Sequence, residues 1–135
     1  MNGNGCCSGS IVSILACSGG SNVGQITNEV AKRLDINGFG KFFCLAGVGG
    51  HISGMVASVE GSDKVLVLDG CPVACGKKTM EAANLADYEY LVVTDLGIEK
   101  KHDFDLLETD IQTVLSRSEQ LLSNTEPLLD VTSNQ

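Results

Sequence analysis

The sequence lacks any hydrophobic run that approaches the roughly 18 residues of a membrane-spanning helix, so we expect no membrane partner. No lysine or arginine precedes Lys32, and the first apolar stretch, residues 11–16, is shorter than the core of a secretion signal. Although residues 14–17 resemble a lipoprotein cleavage site, these two absences make that interpretation unfavourable. The sequence therefore predicts a cytoplasmic protein.

Positive charge is also scarce. Nine Lys and Arg residues stand against 17 Asp and Glu residues, which gives a formal net charge of −8. A chain of this charge is repelled by the phosphates of nucleic acids and by anionic membrane surfaces. Neither is an expected partner.

Several motifs that would identify a particular chemistry are missing. The chain has no Walker loop, no GxGxxG fingerprint and none of the CxxC pairs of zinc ribbons or thioredoxin-like enzymes. It nevertheless contains six cysteines without a secretion signal, which favours reduced thiols used for metal binding or chemistry over a disulfide framework.

Short apolar segments alternate with segments of helical periodicity, and no hairpin signal separates them. The predicted strands are 10–16, 41–45, 65–68 and 88–94, and the predicted helices are 23–35, 52–59, 72–86 and 105–122. Asn22 is the expected N-cap of the first helix, with Gln25 three residues on. This alternation predicts an α/β three-layer sandwich with a small parallel four-stranded sheet, Rossmann/flavodoxin-like topology and strand order 2-1-3-4.

The chain is long enough for one domain with its own core. We expect that single domain to span residues 10–123. Residues 1–9, which include Cys6 and Cys7, are predicted to be a flexible leader, and residues 124–135 a flexible tail.

Four cysteines fall at or just after the predicted strand ends. Cys17 follows the first strand, Cys44 ends the second and Cys71 follows the third, while Cys75 lies a predicted helical turn beyond Cys71. Because parallel strands end at one edge of the sheet, we expect these thiols to converge there. Zinc favours four thiolate or imidazole ligands, so the pattern predicts a zinc site. The alternative is that these cysteines act as small apolar residues.

The sequence resembles the DGC domain family, small prokaryotic proteins named for an Asp-Gly-Cys motif. The matching segments are Asp69-Gly70-Cys71-Pro72 with Cys75, residues 17–25, residues 44–50 and residues 94–97. The resemblance implies a zinc-binding protein without established activity, with Cys17, Cys44, Cys71 and Cys75 as candidate ligands. Relatives carry a further cysteine where Gly20 stands here, so this chain lacks one potential ligand.

Two other functions stay open. In the first, the protein is a thiol-based redox or transfer enzyme in which Cys71 is the nucleophile and Cys75 the resolving thiol. In the second, the glycine-rich turns at 18–24 and 47–50 bind an anion or nucleotide. Asp69, at the end of a predicted strand, could either orient metal ligands or cap a helix.

Overall fold

The computed structural model describes residues 10–123. The predicted leader, with Cys6 and Cys7, and the predicted tail lie outside the described residues. The elements, in chain order, are β1 (Val12–Ala16), α1 (Asn22–Ile36), β2 (Lys41–Phe43), α2 (Leu45–Gly49), α3 (Ser53–Glu60), β3 (Lys64–Asp69), α4 (Cys75–Ala82), β4 (Glu89–Val92), a 3-10 turn (Val93–Leu96) and α5 (Glu108–Ser123).

The four strands form one parallel sheet in the order β2-β1-β3-β4. Helices α1 and α5 cover one face, and α2, α3 and α4 cover the other. This arrangement confirms the predicted α/β sandwich and the 2-1-3-4 order. Since the order reverses between β1 and β3, the carboxyl ends of these strands border the crevice where open α/β sheets bind ligands. Within the described range, no helix is long and apolar enough to cross a bilayer.

Strand β3 shows why the sheet needs helices on both faces. Leu66 and Leu68 pack into the core beneath α1 and α5, while Val65 and Val67 pack into the core beneath α2, α3 and α4. All four side chains are buried. Burying a side chain of this size contributes about 1.5–3 kcal/mol, so a continuous apolar strand is stable only between two helical layers.

The first helix begins one residue earlier than predicted. Ser21, not Asn22, is its N-cap, and the Ser21 Oγ accepts a hydrogen bond from the Gly24 N–H at 3.1 Å. Asn22 instead holds the segment after β4. Its N–H donates to the Lys101 carbonyl at 2.9 Å, and its Oδ1 accepts from the Lys101 N–H at 2.6 Å. Residues 99–101 are thereby fixed across the start of α1.

Two glycines let backbone segments approach at the carboxyl edge of the sheet. A Cβ on Gly24 would lie 2.5 Å from the Gly19 carbonyl oxygen, and a Cβ on Gly70 would lie 2.7 Å from the Gly24 nitrogen. Neither glycine has a positive φ. Their role is therefore close packing of the loop after β1, α1 and the end of β3.

We expect the Gly24→Ala substitution to lower the free energy of unfolding by about 1–3 kcal/mol, because the added methyl group overpacks a backbone contact. Gly54→Ala is the matched control, since a Cβ at that α3 position meets nothing within 4 Å. Alanine there should raise stability slightly through helix propensity. Urea denaturation followed by circular dichroism measures both changes. Unaltered stability of the Gly24→Ala variant would contradict the close packing.

Candidate functional site

A cleft of about 600 Å³ opens at the carboxyl edge of the sheet, on the side covered by α2 and α4. Cys17, Cys44 and Cys75 line it, from the end of β1, the β2–α2 junction and the first residue of α4. We call this feature the thiol cleft. Its other lining residues are Ala16, Ser18, Phe42, Phe43, Leu45, Ala46, Gly49 and Thr79.

Cys71, the fourth predicted ligand, does not line the thiol cleft. It is half-buried and packs against the core that α1 and α5 form on the other face of the sheet. The Lys100 Nζ donates a hydrogen bond to the Cys71 Sγ at 3.4 Å. The structure therefore brings three of the four cysteines to one cleft and leaves Cys71 beside a cationic side chain.

The expected spacing of Cys71 and Cys75, one turn apart on a single helix, was wrong. Helix α4 begins only at Cys75, and Pro72 lies in the turn that precedes it. Ala74, the N-cap, has left-handed backbone angles of φ 61° and ψ 45°. This conformation redirects the chain between the two cysteines, so they do not share a helix face.

A second left-handed residue follows Cys17. Ser18 has φ 51°, and its N–H donates to the Thr27 Oγ1 at 3.1 Å, while the Cys17 Sγ lies 3.7 Å from the same oxygen. Left-handed non-glycine residues cost about 1–2 kcal/mol each. Two of the three cysteines in the cleft, Cys17 and Cys75, are thus adjacent to a residue with strained backbone angles. Such residues cluster at functional sites.

The side chain of Asp69 fixes the start of α4. It is only 1% exposed. Its Oδ1 accepts from the Gly76 N–H at 2.6 Å, and its Oδ2 accepts from the Lys77 N–H at 2.9 Å and the Tyr90 O–H at 2.6 Å. Of the two roles left open by the sequence, the observed one is helix capping. Because α4 begins at Cys75, this cap also positions the third thiol of the cleft.

Sequence reasoning missed the two residues that complete this cap. A tyrosine hydroxyl is a donor at neutral pH, and burial together with the hydrogen bond to Asp69 raises the pKa of Tyr90 well above its ordinary value. A Cβ on Gly76 would lie 2.8 Å from the Asp69 Oδ1. The glycine directly after Cys75 was the available sign of a close approach, but nothing in the sequence pairs Tyr90 with Asp69.

The model of the DGC domain family matches residues 13–118 of this chain. The chain belongs to the DGC domain family. A curated relative, the "Anaerobic and virulence modulator AnvM" of Pseudomonas aeruginosa strain PAO1, is 33% identical over 110 residues, which cover 82% of this chain and 84% of the relative. No solved structure matches the chain, so the Rossmann/flavodoxin-like assignment stays a prediction.

In this DGC domain, the residues of the family motif have three separate environments. Asp69 caps α4, Gly70 packs against the backbone of α1, and Cys71 contacts Lys100. Only the first of these environments adjoins the thiol cleft, through Cys75. The motif therefore joins the two helical layers of the sandwich, and it does not by itself form one metal site.

The thiols of the DGC domain fit a soft metal ion only in part. In residues 10–123, no three His, Cys, Asp or Glu side chains stand close enough together to hold an ion. Cys71 packs against the core on the other face and does not line the cleft of the other three cysteines. Cys17, Cys44 and Cys75 share one cleft.

The hydrogen bonds of α1 give little support to the anion-binding hypothesis. In its first turn, the N–H groups of Asn22, Gly24 and Gln25 already donate to the Lys101 carbonyl, the Ser21 Oγ and the Ser21 carbonyl. A helix N-terminus binds anions through N–H groups that lack protein partners. The second glycine-rich turn is largely the short helix α2.

We expect the Asp69→Asn substitution to lower the free energy of unfolding by about 1–3 kcal/mol, because an amide offers one acceptor oxygen where the carboxylate offers two. Backbone hydrogen exchange at Gly76 and Lys77 should become faster, since the start of α4 loses its cap. Asp95→Asn is the matched control at an exposed aspartate. If exchange at Gly76 and Lys77 were unchanged in the Asp69→Asn variant, the capping role would be refuted.

Proposed function

We propose that this DGC domain is a zinc-binding regulatory module in which Cys17, Cys44 and Cys75 are the protein ligands. The observation that supports the proposal is the presence of three cysteines, from three separate chain segments, in one cleft. Thiolates are preferred zinc ligands, and open zinc sites use three protein ligands with a fourth position left for water or another ligand.

The chemistry of the cleft suits a reversibly bound cation. Cys44 and Cys75 are exposed, so an ion from solvent reaches them directly. In the part of the chain that the structure describes, the cleft lining contains no Lys, Arg or His that could neutralise the negative charge of several thiolates. Deprotonated thiols in this position would therefore need a cation to balance their charge.

In the proposed site, Cys71 is not a ligand. Four-cysteine coordination, which the sequence predicts, would also use Cys71, which does not line the cleft. Three-cysteine coordination uses only residues that line one cleft, although their side chains would have to come closer together to hold an ion. The variants described below separate these two arrangements.

The name of the curated relative agrees with a regulatory role. It describes that protein as a modulator, which indicates an effect on other processes more than the turnover of a substrate. We extend this role to the present chain and place the module in the cytoplasm, where thiols are kept reduced and available to metals.

The second candidate function is thiol chemistry at Cys71. The contact between the Lys100 Nζ and the Cys71 Sγ favours it, because a neighbouring lysine is typical of reactive cysteines. The predicted resolving role of Cys75 has no such support, since Cys75 lines the thiol cleft and Cys71 does not. A nucleophilic Cys71 would therefore need an external thiol to release any mixed disulfide.

Zinc content tests the first proposal. Protein purified under reducing conditions as a Cys6→Ser/Cys7→Ser variant should bind about one zinc per chain. Single Cys17→Ser, Cys44→Ser and Cys75→Ser substitutions should each weaken zinc binding at least tenfold, because each removes a ligand. The matched control, Cys71→Ser, should bind zinc like its parent. Competition with a chromophoric chelator measures these affinities.

Two results would count against the three-cysteine site. Failure to take up zinc after reconstitution would refute zinc binding, and an equal loss in the Cys71→Ser variant would favour the four-cysteine arrangement. If metal-free protein instead showed Cys71 to be alkylated much faster than the cleft cysteines, the second candidate would be preferred.

A further inference from the structure

The thiol cleft is much larger than a metal ion requires. Its volume of about 600 Å³ falls within the range of pockets that hold small organic molecules, roughly 300–1,000 Å³. Phe42, Phe43, Leu45 and Ala46 provide apolar surface beside the thiols. We propose that the cleft binds an uncharged, largely apolar small molecule that carries an aromatic ring. This inference rests on the size and lining of the cleft and does not depend on zinc binding.

The lining residues indicate that the ligand is uncharged. Among residues 10–123, no Lys, Arg, His, Asp or Glu lines the cleft, so a charged ligand would lose its hydration without gaining an ion pair from these residues. The thiols, when protonated, are only weak donors and acceptors. An uncharged ligand avoids this loss and displaces water from the apolar walls.

The hydroxyl groups in the cleft are already committed as donors. The Ser18 Oγ donates to the Asn28 Oδ1 at 2.9 Å, and the Thr79 Oγ1 donates to the Cys75 carbonyl at 2.7 Å. These two oxygens remain able to accept. The ligand that fits best therefore has few polar atoms, and at most one or two of them are hydrogen-bond donors.

The preference for an aromatic ligand comes from strand β2 and from Cys17, which follows the neighbouring strand β1. Phe43 is half-buried, lines the cleft from the edge strand of the sheet and packs with the core on the cleft side, whereas the Phe42 side chain packs against the core on the other face. Aromatic rings favour offset-stacked or edge-to-face contacts with other rings. Polarizable sulfur atoms, such as those of Cys17 and Cys44, also interact favourably with ring edges.

The test uses N-phenyl-1-naphthylamine, an uncharged aromatic dye whose fluorescence increases when it leaves water. The full chain should give a saturable increase. An Ala46→Trp substitution should weaken dye binding at least tenfold, because Ala46 is exposed and lines the cleft, so the larger side chain fills it. Ala57→Trp is the matched control at an exposed α3 position outside the cleft. This control variant should bind the dye like the parent.

A second measurement on the unsubstituted chain does not depend on folding of the variants. Bound dye should slow alkylation of Cys44 and Cys75 by iodoacetamide, as followed by peptide mass spectrometry, while alkylation of Cys71 should be unaffected. A fluorescence increase that does not saturate, equal losses in both tryptophan variants, or equal protection of Cys71 would each overturn the inference.

The dye titration is performed on zinc-free and zinc-reconstituted protein so that the two proposals are separated. Saturable dye binding by a chain that takes up no zinc would support the apolar ligand site and remove the zinc proposal. Normal zinc uptake without dye binding would overturn the apolar ligand site alone.

Discussion

The buried carboxylate of Asp69 is the interaction on which the site depends. An ionised carboxylate that is 1% exposed is strongly destabilising unless donors satisfy its oxygens. The first turn of α4 provides two backbone N–H groups, and Tyr90 on β4 provides a hydroxyl. These bonds fix α4 against β3 and β4, and they place Cys75 at the opening of the thiol cleft. The Asp69 side chain therefore fixes the position of a cleft cysteine relative to the sheet.

The arrangement of the sheet could be predicted from the sequence, because short apolar strands alternating with helical segments leave few alternatives to a parallel α/β sandwich. The position of the cysteines at one edge followed from the same pattern. The sequence did not predict which face of the sheet Cys71 occupies, since this depends on the left-handed conformation of Ala74. Alanine has no preference for that conformation, so the sequence predicted one continuous helix from Pro72. The exchange of roles between Ser21 and Asn22 has a similar cause, because the partner of Asn22 lies 79 residues away.

The division of the thiols changes the interpretation of the family motif. Its cysteine lies beside Lys100 on one face of the sheet, whereas the cleft on the other face contains three cysteines from outside the Asp-Gly-Cys triplet. Close backbone packing at Gly70 and the cap at Asp69 connect these two environments. A change in the turn at residues 71–74 would affect both the thiol near the lysine and the start of α4. The motif is thus a structural link between two chemically different thiol environments.

The most direct test of this account is dibromobimane cross-linking of the reduced, metal-free Cys6→Ser/Cys7→Ser variant. The reagent joins two neighbouring thiols, and peptide mass spectrometry identifies the joined cysteines. The account expects pairs among Cys17, Cys44 and Cys75, because these three line one cleft, and it expects no product that contains Cys71. A major product that joins Cys71 to Cys75, or the absence of any product among the three cleft cysteines, would contradict it.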